Sequence, residues 1–164
     1  MEKVKLKTNI LKKEIVNIFK KFGLNNNHAL ISANALRNAE LVGAYGHGLS
    51  RLKMYCDRIK KRVINPKPKI KIKKISQSIS HVDANNCIGF VAADIAIKTA
   101  IKNAKKTGIG MVAVKNSGHY GLSGYYAEQA VKKNLITMIY TNAPPAVAPH
   151  GALKSLFGTN PICF

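Results

Sequence analysis

The chain has 164 residues, 46% of them hydrophobic and 21% charged, which is the size and composition of one ordinary globular domain rather than of a disordered tail. Lys and Arg number 27 against 7 Asp and Glu, a net charge of +20, while the 3 cysteines (Cys56, Cys87, Cys163) are odd in number and lack C-x-x-C spacing, so neither a disulfide framework nor a thiolate zinc site is indicated. No run approaches the roughly 18 uncharged apolar residues of a membrane span, and the lysine-rich start Met1-Glu2-Lys3-Val4-Lys5-Leu6-Lys7 leads into no apolar secretory segment; a cytoplasmic chain without a membrane partner is expected.

In chain order, Leu11, Ile15, Ile18, Phe19 and Phe22 recur at three- to four-residue spacing, which predicts an amphipathic helix with Thr8 or Asn9 as N-cap and Gly23 as its stop. A second helix is predicted over residues 27–41, apolar at Leu30, Ala33, Leu36 and Ala39 and ended by Gly43. A third begins near His47 and carries Leu52, Tyr55, Ile59 and Val63. Asn65-Pro66-Lys67-Pro68 then breaks the pattern as a linker. Lysine and isoleucine alternate over 69–75, the signature of an exposed or edge strand, and 79–82 supplies a partner. A helix over 92–106, a buried-type strand over 110–114, a helix over 123–133 and a second buried-type strand over 135–140 follow. This order predicts an α/β fold: a helical region over 1–64 containing the G-H-G-x-x-R segment, then a mixed sheet with helical cover over 65–164. The apolar ending Pro161-Ile162-Cys163-Phe164 suggests a chain cut within a further core element, so the α/β region is expected to be incomplete.

The excess charge is almost all lysine, 23 Lys to 4 Arg. Base readers and bidentate phosphate sites favour the guanidinium fork, and these lysines are dispersed: Lys98, Lys102, Lys105 and Lys106 share one helical face, while Lys69, Lys71 and Lys73 alternate along a strand. Compositional drift toward Lys, Ile and Asn explains this better than a specific nucleic-acid partner. A basic nucleic-acid-binding module stays as an alternative.

Three segments concentrate residues that a plain scaffold does not need. In Gly46-His47-Gly48-Leu49-Ser50-Arg51, a helix starting here places His47 and Arg51 at i and i+4 on one side. An imidazole exchanges protons near neutrality, and a guanidinium grips a carboxylate through two parallel hydrogen bonds; the pair suits a 2-oxo or 2-hydroxy acid. A helix-start histidine beside a solvated arginine satisfies the same spacing. Asn116-Ser117-Gly118-His119-Tyr120-Gly121-Leu122-Ser123-Gly124-Tyr125 follows a strand and precedes a helix, where ligand loops of α/β proteins lie, and its glycines permit tight turns or close approach. A glycine-rich turn with an incidental histidine fits the same residues equally well. Thr141-Asn142-Ala143-Pro144-Pro145 through Pro149 is stiffened by three prolines and suits a pocket wall or a simple rigid connection. No G-x-G-x-x-G or G-x-x-x-x-G-K-[ST] motif occurs, and the histidines form no metal-ligand cluster in sequence.

Together and in order, Gly46-His47-Gly48-Leu49-Ser50-Arg51-Leu52 with Tyr55, Asn116 to Gly121 with Gly124 and Tyr125, Asn142-Ala143-Pro144-Pro145 through Pro149, and Gly158-Thr159-Asn160-Pro161 resemble the type 2 malate/L-lactate dehydrogenase family. That family comprises NAD(P)-dependent reductases of 2-oxo acids and relatives acting on sulfolactate, ureidoglycolate and diketogulonate. The resemblance implies a non-Rossmann fold, an NAD or NADP cofactor, a small 2-oxo or 2-hydroxy acid substrate, and a homodimer with its active site near the subunit interface. It further implies that His47 or His119 is the catalytic acid/base, that Arg51 and His119 contact the substrate, and that Asn142 and Thr159 line the cofactor site. Many members carry serine where this chain has Gly46, so a hydroxyl that could orient the imidazole is missing. Members are about twice this length, and the half absent here carries much of the cofactor site; an inactive fragment of such an enzyme is the second reading.

Overall fold

The computed structural model describes residues 5–164; the first four, which belong to the stretch expected to lead into no secretory segment, lie outside the described residues. Helix α1 (Thr8–Lys21) buries Ile15 and Phe19, the centre of the predicted apolar stripe. Its N-cap is Lys7, with extended backbone and no side-chain cap. Neither Thr8 nor Asn9 caps it, because both are already inside the first turn. Gly23 (φ +93°) ends it as expected, and Leu24 N–H donates to the carbonyl of Phe19, a closure that needs a left-handed residue. Helix α2 (Asn26–Leu41) begins one residue earlier than predicted because the side chain of Asn25 accepts from His28 N–H at 2.8 Å, a cap of the usual kind. Its alanines let α1 and α2 approach closely: Ala29, Ala33 and Ala39 are fully buried.

The third predicted helix is broken. Two 3₁₀ turns, Tyr45–His47 and Leu49–Arg51, precede α3 (Leu52–Lys60), so His47 and Arg51 are not related by one α-helical turn. Gly48 separates the turns with φ −98° and ψ −136°, far from helical values. Val63 falls beyond the helix and is exposed.

Strands β1 (Lys71–Lys74) and β2 (Ile79–Asp83) pair antiparallel, and β2 pairs parallel with β3 (Met111–Lys115) after the crossover helix α4 (Gly89–Thr107). The sheet of order β1-β2-β3 is mixed, as predicted. All four β1 residues are exposed, consistent with a lysine-bearing edge. The linker is tied to the sheet: Asn85 Oδ1 accepts from both Asn65 Nδ2 and Lys69 N–H. Helix α4 starts three residues before its predicted position.

Two predicted features are corrected. Strand β3, read as buried, is an outer strand with Met111 and Val114 exposed. Its second edge is unpaired among the described residues, so its apolar residues lack cover. The strand predicted over 135–140 shrinks to β4 (Ile139–Tyr140), which joins not the main sheet but β5 (Ile162–Cys163), a strand the sequence did not signal. Between α4 and this ribbon lies α5 (Ser123–Val131), close to its predicted span.

The principal core combines α1, α2 and α3 with residues after the linker. Ile15, Phe19, Leu36 and Tyr55 share one cluster with Ala84, Ile88, Phe90 and Val91. A smaller cluster forms around Ile97, Tyr126 and Ala130. Burial of a side chain such as Phe19 contributes about 1.5–3 kcal/mol. Because the main cluster draws on residues from both sides of position 64, it fixes the G-H-G-x-x-R segment against the start of α4. Among the described residues no helix is long and apolar enough to cross a membrane.

Candidate active site

The first motif is held by its own backbone and by Glu40. After α2, Gly43 turns the chain with φ +76°. The Glu40 carboxylate reaches forward from the end of α2 and accepts from Leu49 N–H at 2.7 Å, satisfying a donor at the start of the second 3₁₀ turn. A Cβ on Gly48 would stand 2.1 Å from Glu40 Oε1, so a side chain there would push the carboxylate away from Leu49 N–H. Ser50 Oγ donates to the carbonyl of Tyr45 at 2.6 Å, and Arg51 Nε donates to the carbonyl of Gly46 at 2.8 Å. The second bond leaves the two terminal nitrogens of Arg51 available for a ligand. His47 and Arg51 are both exposed.

The second motif is clamped at both ends. Asn116 takes φ +53° as the chain leaves β3, its amide donates to Asp83 Oδ1 at 2.9 Å, and its carbonyl accepts from Asn86 N–H at 2.8 Å. The hydrogen bond from Asn116 and another from Asn85 N–H, with Lys115 nearby, hold the Asp83 carboxyl below the usual carboxylate range. At the far end the Tyr126 hydroxyl donates to the carbonyl of Tyr120 at 2.9 Å. Between them the loop lies on the first turn of α4. A Cβ on Gly89 would stand 2.3 Å from the carbonyl oxygen of His119 and 2.4 Å from that of Gly118, and one on Gly121 would stand 2.8 Å from the Phe90 ring.

The two motifs meet. The imidazoles of His47 and His119 stack, their centroids 5.8 Å apart and their planes 16° from parallel. Tyr55 joins them from α3: its ring is fully buried, packs on Phe90 at 4.7 Å, and brings its hydroxyl within 2.5 Å of His119 Nδ1. Burial pushes the Tyr55 phenol well above the usual tyrosine range, so it stays protonated. Burial, reinforced by the positive charges of His47, Arg51 and Arg58, lowers the His119 pKa to about 4. The guanidinium charges of Arg51 and Arg58 both act on His119, and positive charge there suits an anion.

The sequence therefore brought His47, His119 and Arg51 to one patch, though by 3₁₀ turns rather than by the expected helix. Asn142 and Thr159 lie elsewhere, together. Both are exposed, on two segments joined where Ala143 N–H donates to Asn160 Oδ1 at 2.8 Å and Gly158 fits against the carbonyl of Ala143. No hydrogen bond links that ribbon to the histidine pair among the described residues. Two surface clefts lie elsewhere again, between the end of α1 and the 65–68 linker, lined by residues such as Lys20, Pro66 and Lys67 with no histidine or carboxylate. No group of three or more His, Cys, Asp or Glu capable of holding a metal occurs among the described residues. Sequence reasoning missed the Tyr55 hydroxyl, the Glu40 cap and the Gly89 contact. A tyrosine at a core-facing helical position was the available signal for the first; the other two depend on tertiary packing.

The sequence profile of the malate/L-lactate dehydrogenase family matches residues 6–164. The L-sulfolactate dehydrogenase of Methanocaldococcus jannaschii is 41% identical over 151 residues, covering 92% of this chain and 44% of that protein. The malate dehydrogenase of Pyrococcus abyssi is 43% identical over 148 residues, covering 90% of this chain and 41% of its own length. The solved structure of malate dehydrogenase from Pyrococcus horikoshii superposes with a TM-score of 0.92 at 39% identity, covering 97% of this chain and 46% of that one. The chain belongs to the malate/L-lactate dehydrogenase family and spans less than half the length of these relatives.

Proposed function

We propose that this chain carries the acid/base and substrate-carboxylate groups of an NAD(P)-dependent enzyme interconverting a small 2-oxo acid and its 2-hydroxy acid. The observation that carries this reading is the meeting of His47, His119 and Arg51 from distant parts of the sequence, with the Arg51 and Arg58 guanidinium charges acting on His119. The terminal nitrogens of Arg51 take the substrate carboxylate as a bidentate pair. That grip sets C2 and its oxygen beside the imidazoles. In reduction, the C=O π electrons move onto oxygen as hydride arrives at C2, and that oxygen takes a proton from His47 or His119; oxidation runs the same transfers backwards.

A bound nicotinamide cofactor supplies or accepts the hydride. Asn142 and Thr159 fit such a group in chemistry: an amide and a hydroxyl, both exposed, on a ribbon stiffened by Pro144, Pro145 and the Asn160 clamp. Similar dehydrogenases from Escherichia coli and Chromohalobacter salexigens are named for NAD and NADP respectively, and either cofactor is compatible with these residues. The same reading expects a cytoplasmic homodimer with its site near the subunit interface. Exposed Leu41, Val42 and Tyr45 beside the His47 segment support a covered face, and mass by light scattering tests it.

The reading is tested by following NADH and NADPH oxidation with pyruvate, oxaloacetate and bulkier 2-oxo acids. Turnover that falls about 10²–10⁴-fold when the proton-transfer histidine is replaced by alanine is expected. Full turnover in a His47→Ala, His119→Ala double variant would remove both proposed proton donors.

A further inference from the structure

The Tyr55 hydroxyl makes one hydrogen bond among the described residues, the 2.5 Å contact with His119 Nδ1, and its side chain is fully buried. Two arrangements satisfy that distance. The phenol donates to a bare Nδ1, or a protonated Nδ1 donates to the phenol oxygen. In the second, the phenolic proton is buried with no acceptor, a cost the first avoids. Ionising the phenol would relieve it, but burial opposes ionisation. The charges around the ring come from His47, Arg51 and Arg58, and each opposes a second proton on His119.

We propose that Tyr55 is a positioning residue: its hydroxyl donates to Nδ1 of His119 and fixes that imidazole in the neutral Nε2–H tautomer. This goes beyond the dehydrogenase reading by dividing the labour of its two histidines, and its kinetic consequence rests on that reading. With Nδ1 occupied and Nε2 already protonated, His119 has no free nitrogen to accept a proton from a hydroxy acid. It serves as a fixed hydrogen-bond donor to the substrate oxygen, electrically neutral throughout the cycle. His47, which has no such partner among the described residues, exchanges the proton. The hydroxyl of Tyr55 thus does for His119 what a neighbouring serine, absent at Gly46, could have done for His47.

The tautomer is read directly by ¹H–¹⁵N correlation of the chain with ¹⁵N-labelled histidine, the His119 resonances assigned with His119→Gln. The expected wild-type spectrum at pH 7 shows Nδ1 unprotonated and Nε2 protonated with at least tenfold preference, and no titration until about pH 4. In Tyr55→Phe, which keeps the ring against Phe90, the two tautomers become comparable and the titration moves upward. An Nδ1–H tautomer in the wild type overturns the proposal, and so does an unchanged His119 spectrum in Tyr55→Phe. Because the wild-type spectrum alone decides the tautomer, failure of the variant to fold does not protect the idea. In the kinetic arm, Tyr55→Phe lowers kcat about tenfold with little change in KM. A correct tautomer in a chain whose His47, His119 and Arg51 take up no 2-oxo acid refutes the dehydrogenase reading and leaves this inference standing.

Discussion

Gly89→Ala separates packing from chemistry at this site. A Cβ at position 89 would meet the carbonyl oxygens of His119 and Gly118 at 2.3 and 2.4 Å. Ordinary contacts need about 1 Å more. Both obstacles are backbone, so neither swings aside as a side-chain tip would, and the 118–119 loop must lift from α4. Overpacking of this kind costs about 1–3 kcal/mol. A displacement of that size also breaks the 2.5 Å contact between Tyr55 and His119 Nδ1, adding about 1 kcal/mol for a lost intramolecular hydrogen bond. The expected total is about 2–4 kcal/mol, a fall of about 1–2 M in the urea midpoint for a domain of this size. Gly118→Ala is the control: a Cβ there meets nothing within 4 Å, so stability should stay within about 0.5 kcal/mol of the parent. The reasoning is refuted if Gly89→Ala unfolds at the parent midpoint with its His119 signals unmoved, or if Gly118→Ala proves equally damaging.

Further outcomes follow from other contacts. Arg51→Lys keeps the charge but loses the fork, and should lower kcat/KM for 2-oxo acids about 10–100-fold, mainly through KM; an unchanged KM argues against carboxylate binding by Arg51. Glu40→Ala removes the acceptor for Leu49 N–H and should destabilise the chain by about 1 kcal/mol, measured by urea unfolding. The His119 pKa of about 4 lies below its unfolded value near 6.5, so the unfolded chain binds the extra proton between those values. Stability contributed by His119 is complete above about pH 6.5 and is lost as pH falls toward 4. The loss is about 1–2 kcal/mol after allowance for solvent access, and it should disappear in His119→Gln.

The helices were legible because their apolar stripes are the surfaces that meet: Ile15 and Phe19 on α1 and Ala33 and Leu36 on α2 are buried in one cluster. The break at Gly48 was not, since it depends on a carboxylate from the preceding helix occupying the space of a side chain. Apolar runs show which residues favour burial, not whether anything covers them; hence β3 was read as buried although Met111 and Val114 are exposed. The two histidine motifs stood out through residue type and glycine spacing, but their meeting depends on tertiary packing, in which Tyr55 is set against both Phe90 and His119. Tyr55 itself was legible as a core residue and as part of the family motif, not as a partner of His119. Its role lies in one polar atom at the end of a buried ring, which periodicity does not register.

The most direct test of the account is a titration of the chain with oxamate, an unreactive analogue of a small 2-oxo acid, followed on the side-chain resonances of His47, His119 and Arg51. The account predicts that all three shift together along one saturable curve, and that Arg51→Met abolishes the response of both histidines. Oxamate that moves none of the three, or that moves them with unrelated affinities, would contradict a shared anion site.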